Sequence, residues 1–314
     1  MNDAIAIHVQ DLHYSYGAIC AVDGIDFDVR RGEIFSLLGP NGAGKTTTIG
    51  ILSCLLRPSS GTATIMGHSV TEDANAVKGV IGVVPQDIAL YADLSARENL
   101  VFWGKMQGMR GAALAKRVDE IVELIGLGDR QRSRISTYSG GMKRRVNIGV
   151  ALLHKPALVI MDEPTVGIDP QSRRAILDNV MHLRDEGTTV LYTTHYMEEA
   201  EELSDHVGIM DHGRIIALGT RQELIKSVGG LDRVQLHISA ANEDLLQRWR
   251  LLEGVTEVTT DGDVVTVMAA DSNRILPRLF ETASEVAVRI VSANIQEPNL
   301  EAVFLRLTGR ALRD

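Results

Sequence analysis

Short apolar runs alternate with stretches of helical apolar spacing through most of this chain. Between residues 5 and about 226, several of the apolar runs lead directly into loops rich in Gly, Asp or His. Because strands that end in such loops are typical of sheets with sites at strand ends, the pattern predicts an α/β fold. The runs predict strands at residues 5–9, 25–29, 33–38, 81–84, 158–161, 189–192 and 207–210.

The interval of residues 87–153 differs from its surroundings, because apolar residues recur there at helical spacing nearly throughout. It predicts an α-helical insert within the α/β domain. A large apolar cluster within this insert follows the same spacing, and such clusters are usually ordinary core. We therefore expect most of its members to be buried: Phe102, Trp103, Met106 and Met109.

The pattern changes after Gly229 and Gly230, which places a domain boundary between residues 230 and 231. The domain of residues 231–314 has the order βαββαβ, which predicts a small ferredoxin-like α+β fold. A final apolar stripe at Leu300, Val303, Phe304 and Leu307 predicts a docking helix. The expected elements are strands at 234–238, 255–258, 264–268 and 286–291 and helices at 245–252 and 275–280.

Composition and charge narrow the class of protein. Apolar residues make up 45% and charged residues 23% of the 314 residues, which is typical of a packed globular protein. The net charge of -9 has the wrong sign for a protein that binds nucleic acid phosphates, so no nucleic acid partner is expected. The two cysteines, Cys20 and Cys54, lack metal-ligand spacing, and we expect buried free thiols.

No segment predicts a membrane span or a secretory signal. Apolar runs such as residues 157–161 end after five residues, whereas a membrane-spanning helix needs about 20. The first residues also lack a positively charged start followed by a long apolar segment. The sequence therefore predicts a cytoplasmic protein.

A phosphate-binding loop follows the predicted strand at residues 33–38. Residues 39–46 fit the pattern G-x-x-x-x-G-K-[ST], and a helix is expected to open at Lys45. Glycines let backbone N–H groups turn toward one centre, and a helix N-terminus adds positive potential there. Lys45 is expected to contact the β- and γ-phosphates of ATP, and Thr46 to bind Mg²⁺. The predicted nucleotide contacts are Gly39, Pro40, Asn41, Gly42, Ala43, Gly44, Lys45, Thr46 and Thr47.

Two further strand ends carry candidate catalytic residues. The apolar run of residues 158–161 ends in Asp162 and Glu163, and His195 follows the strand predicted at residues 189–192. In phosphoryl transfer such an aspartate helps to hold Mg²⁺, and an adjacent acid orients or deprotonates the attacking water. We expect these roles for Asp162 and Glu163, and we expect His195 to contact the γ-phosphate and the water. Without the phosphate loop, an acidic pair or a lone histidine at a strand end is more often structural.

With the segment 138–142, Tyr-Ser-Gly-Gly-Met, the sequence resembles the ATP-binding cassette (ABC) ATPases, whose signature reads Leu-Ser-Gly-Gly-Gln. The resemblance covers residues 5 to about 226 and implies a mixed sheet core, an antiparallel β subdomain and a helical insert in a P-loop NTPase fold. It also implies roles for further residues. Ser139, Gly140 and Gly141 would bind a γ-phosphate, Gln86 would serve catalysis and Mg²⁺, Asp169 would belong to the D-loop, and Tyr16 would stack on adenine.

The same resemblance implies partners. In this family the signature of one subunit covers the ATP held by another, so a head-to-tail dimer with a second nucleotide-binding subunit is expected, either identical or different. A separate transmembrane permease would hold the chain at the inner face of the membrane, with its coupling helix in a groove of the helical insert near Gln86. Lining that groove is the alternative role of the apolar cluster of Phe102, Trp103, Met106 and Met109. The segment 297–309 is similar to endings of ATPases from bacterial drug exporters of the daunorubicin-resistance type, which favours export.

Two other classes of protein remain as alternatives. Non-transport ABC ATPases act on ribosomes or nucleic acid, and they usually carry two cassettes or a long coiled-coil insertion, neither of which this sequence has. A P-loop kinase or switch would need an acceptor pocket and would leave the segment of Ser139, Gly140 and Gly141 without a reason.

Overall fold

The computed structural model describes residues 4–240, 242–296 and 298–309. They form two compact units that divide between Arg221 and Gln222, whereas the sequence places the boundary after residue 230. The helix that precedes residue 230 belongs to the second unit. A Cβ at Gly230 would lie 2.4 Å from Ile225 of this helix and 3.2 Å from Pro298, so these three residues pack together.

Six strands form a sheet at the centre of the first unit: β3 (Ile34–Leu38), β6 (Ile81–Val84), β7 (Leu158–Asp162), β8 (Thr189–Thr194), β9 (His206–Asp211) and β10 (Arg214–Gly219). Their order across the sheet is β10-β9-β3-β8-β7-β6. All neighbours are parallel except the edge pair β9 and β10. Strands β3, β7 and β8 are buried along their whole length, which explains the apolar runs in their sequences. Because they are parallel neighbours, the loops at their carboxyl ends share one edge of the sheet.

A second, antiparallel sheet consists of β1 (Ile5–Tyr16), β2 (Ile19–Arg30), β4 (Ser60–Ile65) and β5 (His68–Ser69). Their order across the sheet is β2-β1-β4-β5. Its first two strands form a long hairpin that extends beyond the predicted runs, and β4, β5 and β10 were not predicted. The sequence of β4, SGTATI, has too few apolar residues to mark a strand. Cys20 of the hairpin is exposed, so the expectation of a buried thiol is wrong there.

The insert is less helical than predicted, because residues 85–95 and 125–139 form loops and short 3₁₀ turns between its helices. Its apolar cluster is only partly core: Trp103 and Met109 are half-buried and pack against the core, Phe102 is half-buried, and Met106 is 68% exposed. The buried face of its first helix consists of Ala96, Asn99, Leu100 and Gly104, which leaves the cluster at the margins of that face. The helices of this unit and its boundary are α1 (Lys45–Leu52), α2 (Ala74–Val80), α3 (Ala96–Met106), α4 (Gly111–Leu124), α5 (Gly140–Ala151), α6 (Pro170–Asp185), α7 (Met197–Leu203) and α8 (Arg221–Ser227).

The second unit has the predicted βαββαβ order, followed by a last helix: β11 (Asp232–Ile238), α9 (Glu243–Arg250), β12 (Val255–Asp261), β13 (Val264–Ala269), α10 (Ser272–Glu285), β14 (Ile290–Gln296) and α11 (Leu300–Thr308). Its antiparallel sheet has the strand order β12-β13-β11-β14. The predicted strand at 286–291 is wrong in position, because α10 continues to Glu285 and Ala287 forms a turn with φ +56°. Phe280 and Leu307, which the apolar stripes placed inside, are 44% and 43% exposed.

Within the described ranges, no helix combines the length and the apolar character that a bilayer crossing requires.

Candidate functional site

The phosphate loop connects β3 to α1, and two of its glycines are required by close backbone contacts. A Cβ at Gly39 would lie 2.1 Å from the carbonyl oxygen of Met210. Gly44 has φ +106°, and a Cβ there would lie 2.4 Å from the carbonyl oxygen of Ala21. Side chains at these positions would force the loop away from the neighbouring backbone, so the glycines fix its path.

Lys45 is the first residue of α1 and only 3% exposed. Its Nζ donates hydrogen bonds to the carbonyl oxygens of Gly39, at 2.6 Å, and Pro40, at 3.0 Å. It also lies 3.0 Å from Oε1 of Glu163. The ammonium group is thus held at the mouth of the loop, next to one of the predicted catalytic acids.

Glu163 follows β7 in a left-handed conformation, with φ +44°. Its backbone N–H donates to the carbonyl oxygen of Thr193, at 3.2 Å, and to the Thr193 hydroxyl, at 3.0 Å. These bonds satisfy the buried N–H in an unusual conformation. The carboxylate lies between Lys45 and His195, whose Nδ1 is 3.2 Å from Oε2. The structure therefore brings together three residues that the sequence placed on separate loops.

Asp162 is the buried neighbour of this group. Its Oδ1 accepts a hydrogen bond of 2.8 Å from the Thr193 hydroxyl, and Thr46 donates a second one. Burial raises the pKa of the Asp162 carboxyl, although the hydrogen bonds from Thr193 and Thr46 act in the opposite direction. A buried carboxylate beside a hydroxyl is a set of hard oxygen ligands, which suits Mg²⁺.

A cavity of about 330 Å³ lies in front of the phosphate loop. Gln86 and Glu163 line it together with Ala21 of β2 and residues 41–47. Tyr16 stands at the tip of the β1–β2 hairpin, 51% exposed, with its ring 4.8 Å from that of Tyr14. The cavity thus joins the predicted loop, Gln86 and Glu163, and Tyr16 belongs to the hairpin that supplies one of its walls.

The signature residues form a separate cluster, and among the described residues they do not line this cavity. Ser139 is the N-cap of α5, and its Oγ accepts from the backbone N–H of Met142 at 3.3 Å. Asp169 is the N-cap of α6, and its Oδ1 accepts from the N–H of Ser172 at 2.9 Å. Two helix N-termini therefore lie side by side, since a Cβ at Gly141 would meet Oγ of Ser172 at 2.1 Å.

The two departures from the family signature have structural explanations. Tyr138 is buried, and its hydroxyl donates to the carbonyl oxygen of Arg130 at 2.5 Å. Met142 packs against the core of the insert. Both outer positions therefore serve packing, whereas Ser139 between them has its hydroxyl at the helix end.

The tight contact at Gly141 supports a matched pair of variants. Gly141→Ala is expected to destabilise the protein by about 1–3 kcal/mol, because α5 and α6 must separate. A Cβ at Gly140 would make only an ordinary contact, with Ile168 at 3.7 Å, so Gly140→Ala is expected to be neutral or slightly stabilising. Thermal unfolding of both variants measures the difference. Equal unfolding temperatures would show that the helices do not pack as described.

Arg144 of α5 was missed by the sequence analysis. Its guanidinium is buried and donates to the carbonyl oxygens of Pro85, at 2.7 Å, and Gln86, at 2.6 Å. Thr193, which supports both acids, was also missed. A polar residue inside an apolar strand or on a buried helix face is the signal that such a role leaves in a sequence.

A phosphate loop at a strand end, with two buried acids and a histidine on neighbouring strands, defines a P-loop ATPase. The ABC transporter family profile matches residues 22–166. The linearmycin resistance ATP-binding protein of Bacillus subtilis is 47% identical over 98% of this chain and 100% of its own length. The daunorubicin/doxorubicin resistance ATP-binding protein of Streptomyces peucetius is 40% identical over 98% of this chain and 94% of its own.

Solved structures agree with these relatives. An ATP-binding subunit of an ABC transporter matches with a TM-score of 0.65 and 31% identity, over 71% of this chain and 93% of that one. A dimeric ATP-binding cassette in a post-hydrolysis state with ADP and phosphate matches with a TM-score of 0.62 and 25% identity, over 68% and 98%. The chain belongs to the ABC transporter ATP-binding proteins and is an ATP-hydrolysing subunit, as the sequence predicted.

Proposed function

We propose that the chain powers the export of a small hydrophobic or amphipathic molecule through a separate membrane permease, which holds it at the inner face of the membrane. The names of its relatives support export, since they include linearmycin resistance, daunorubicin resistance and Nod factor export ATP-binding proteins. Identity extends over nearly the whole chain in each case, so the second unit shares in the likeness.

The working form would be a head-to-tail dimer of two nucleotide-binding subunits. The observation that carries this proposal is the separation of the site into two clusters. Lys45 and Glu163 line one cavity, whereas Ser139 and Asp169 cap two helices outside its lining. Helix N-termini favour anions, so the second cluster is suited to the γ-phosphate of ATP held by a partner. ATP would then join the subunits, and its hydrolysis would release them.

The hydrolytic step follows from the residues around the cavity. Water attacks the γ-phosphorus, Glu163 accepts its proton, and the bond to the β–γ bridging oxygen breaks to leave ADP and phosphate. His195 would orient the water and the γ-phosphate, and Lys45 would stabilise charge on the phosphate oxygens. Thr46, Asp162 and Gln86 would hold Mg²⁺, which supplies charge neutralisation when bound.

Asp162→Asn should separate stability from activity. Because burial raises the folded pKa of Asp162, its contribution to stability is present below its unfolded pKa and is lost as pH rises through the folded value. The neutral variant should therefore unfold at a higher temperature than the wild type at pH 7, and this advantage should disappear in acid. Mg²⁺-dependent hydrolysis should fall by at least about 100-fold.

Thermal unfolding at several pH values, with phosphate release at pH 7, measures both effects. Asp205→Asn is a suitable control, because Asp205 also accepts a hydrogen bond, from the backbone N–H of Ile34, at the opposite end of the sheet. A wild-type hydrolysis rate in Asp162→Asn would contradict the metal role.

Transport itself is tested by capture and reconstitution. The tagged wild-type chain, isolated from detergent-solubilised membranes of its own cells, should retain a multi-span protein. Liposomes containing this pair should accumulate doxorubicin when ATP is outside, and the same pair with Glu163→Gln should not. Recovery of ribosomes or nucleic acid, with no membrane protein, would instead favour the non-transport class of ABC ATPases.

A further inference from the structure

A buried carboxylate holds the turn that carries His195. Glu199 of α7 is 2% exposed, and its Oε2 accepts hydrogen bonds from the hydroxyls of Tyr192, at 2.9 Å, and Thr194, at 3.0 Å. The Thr194 hydroxyl in turn accepts from the backbone N–H of Tyr196 at 2.9 Å. The residues on both sides of His195 are therefore tied to one carboxylate, which restricts the turn between β8 and α7.

Arg173 of α6 makes two further contacts with this group. Its Nε lies 3.5 Å from Oε1 of Glu199, so the guanidinium compensates the buried negative charge. Its Cζ lies 4.4 Å from the centre of the Tyr196 ring, within the range of a cation–π interaction. Burial raises the pKa of Tyr192 well above its usual value, and the charge of Glu199 raises it further. The Tyr192 hydroxyl therefore stays protonated and donates its hydrogen bond to Glu199.

The Tyr196 ring connects this group to the predicted catalytic histidine. The centres of the Tyr196 and His195 rings are 4.2 Å apart, with 41° between their planes. Nδ1 of His195 faces Glu163 at 3.2 Å. An imidazole packed against a fixed ring has fewer orientations available, and a fixed orientation matters where a hydrogen bond must be held.

We propose that Glu199, Arg173 and Tyr196 are positioning residues for the hydrolytic step. Glu199 fixes the turn, and Arg173 and Tyr196 fix the plane of the His195 ring, so that the imidazole faces Glu163. None of the three contacts the reacting atoms. The inference rests on the proposed role of His195 in hydrolysis.

The test compares variants that keep or remove the ring at position 196. Tyr196→Leu should lower kcat for ATP hydrolysis by about 10- to 100-fold with KM for ATP unchanged, because the imidazole loses its support. Tyr196→Phe should restore the wild-type kcat, because the ring makes the contacts to Arg173 and His195. Arg173→Leu should lower kcat in the same way, and Arg173→Lys, which keeps the charge without the planar group, should recover it in part.

A double variant separates positioning from a structural role. His195→Ala combined with Tyr196→Leu should hydrolyse ATP no more slowly than His195→Ala alone, because there is no imidazole left to orient. A wild-type kcat in Tyr196→Leu would overturn the inference, as would full additivity of the two losses. A wild-type rate in His195→Ala would overturn the role of His195 itself, and the positioning of that ring with it.

Discussion

Glu163→Gln is expected to lower ATP hydrolysis by about 10²- to 10⁴-fold while ATP binding is retained. The amide keeps the size of the side chain and its place between Lys45 and His195, but it cannot accept the proton of the attacking water. ATP should then remain bound, and the proposed dimer should persist. Phosphate release measures the first effect, and light scattering with ATP measures the second.

Glu33→Gln provides the matched control. Glu33 is also buried and also paired with a histidine, since its Oε2 lies 2.9 Å from Nδ1 of His206. It precedes β3, whereas the phosphate loop follows that strand. Hydrolysis should therefore continue in this variant. A similar loss of activity in both variants, or a monomer of Glu163→Gln in ATP, would argue against the catalytic role.

Lys45→Ala is expected to weaken ATP binding by about 2–5 kcal/mol, because a buried, hydrogen-bonded cation is removed from the phosphate loop. The variant should also be less stable by about 1–3 kcal/mol, because the buried carboxylate of Glu163 loses one of its two partners, the ammonium at 3.0 Å, and keeps only His195. Calorimetric titration with ATP measures the first change, and denaturant unfolding measures the second.

The double variant Lys45→Ala with Glu163→Gln separates the two effects. Replacing the carboxylate by a neutral amide should recover most of the stability, but it should not recover ATP affinity. Restored binding in the double variant would mean that Lys45 acts only by neutralising Glu163. Unchanged affinity in Lys45→Ala alone would remove the proposed role of its ammonium group.

The buried parallel strands could be predicted because each combines a short apolar run with polar residues at its carboxyl end. Asp162 and Glu163, at the end of β7, and His195, after β8, are examples. Strand β4 could not be predicted, because only two of its residues, Ala63 and Ile65, are apolar and its pairing with β1 is a long-range contact. The last strand of the second unit was predicted too early, at residue 286, since local propensity does not reveal that α10 continues to Glu285.

The site shows a similar division. The phosphate loop was visible because its pattern is local, whereas Arg144 and Thr193 act through hydrogen bonds to residues distant in sequence. A polar residue in an apolar segment marks such a position in the sequence, but only the fold identifies the residues to which it donates. The roles assigned to Gln86 and Tyr16 remain predictions from the family resemblance.

The paired hydrogen bonds of Arg144 have a mechanical consequence. They fasten the start of the segment that contains Gln86 to the helix that begins beside Ser139. A buried guanidinium cannot give up two carbonyl acceptors without leaving donors unpaired, which is costly. A displacement of the Gln86 segment would therefore be transmitted to α5, and Ser139 at the N-terminus of that helix would move with it.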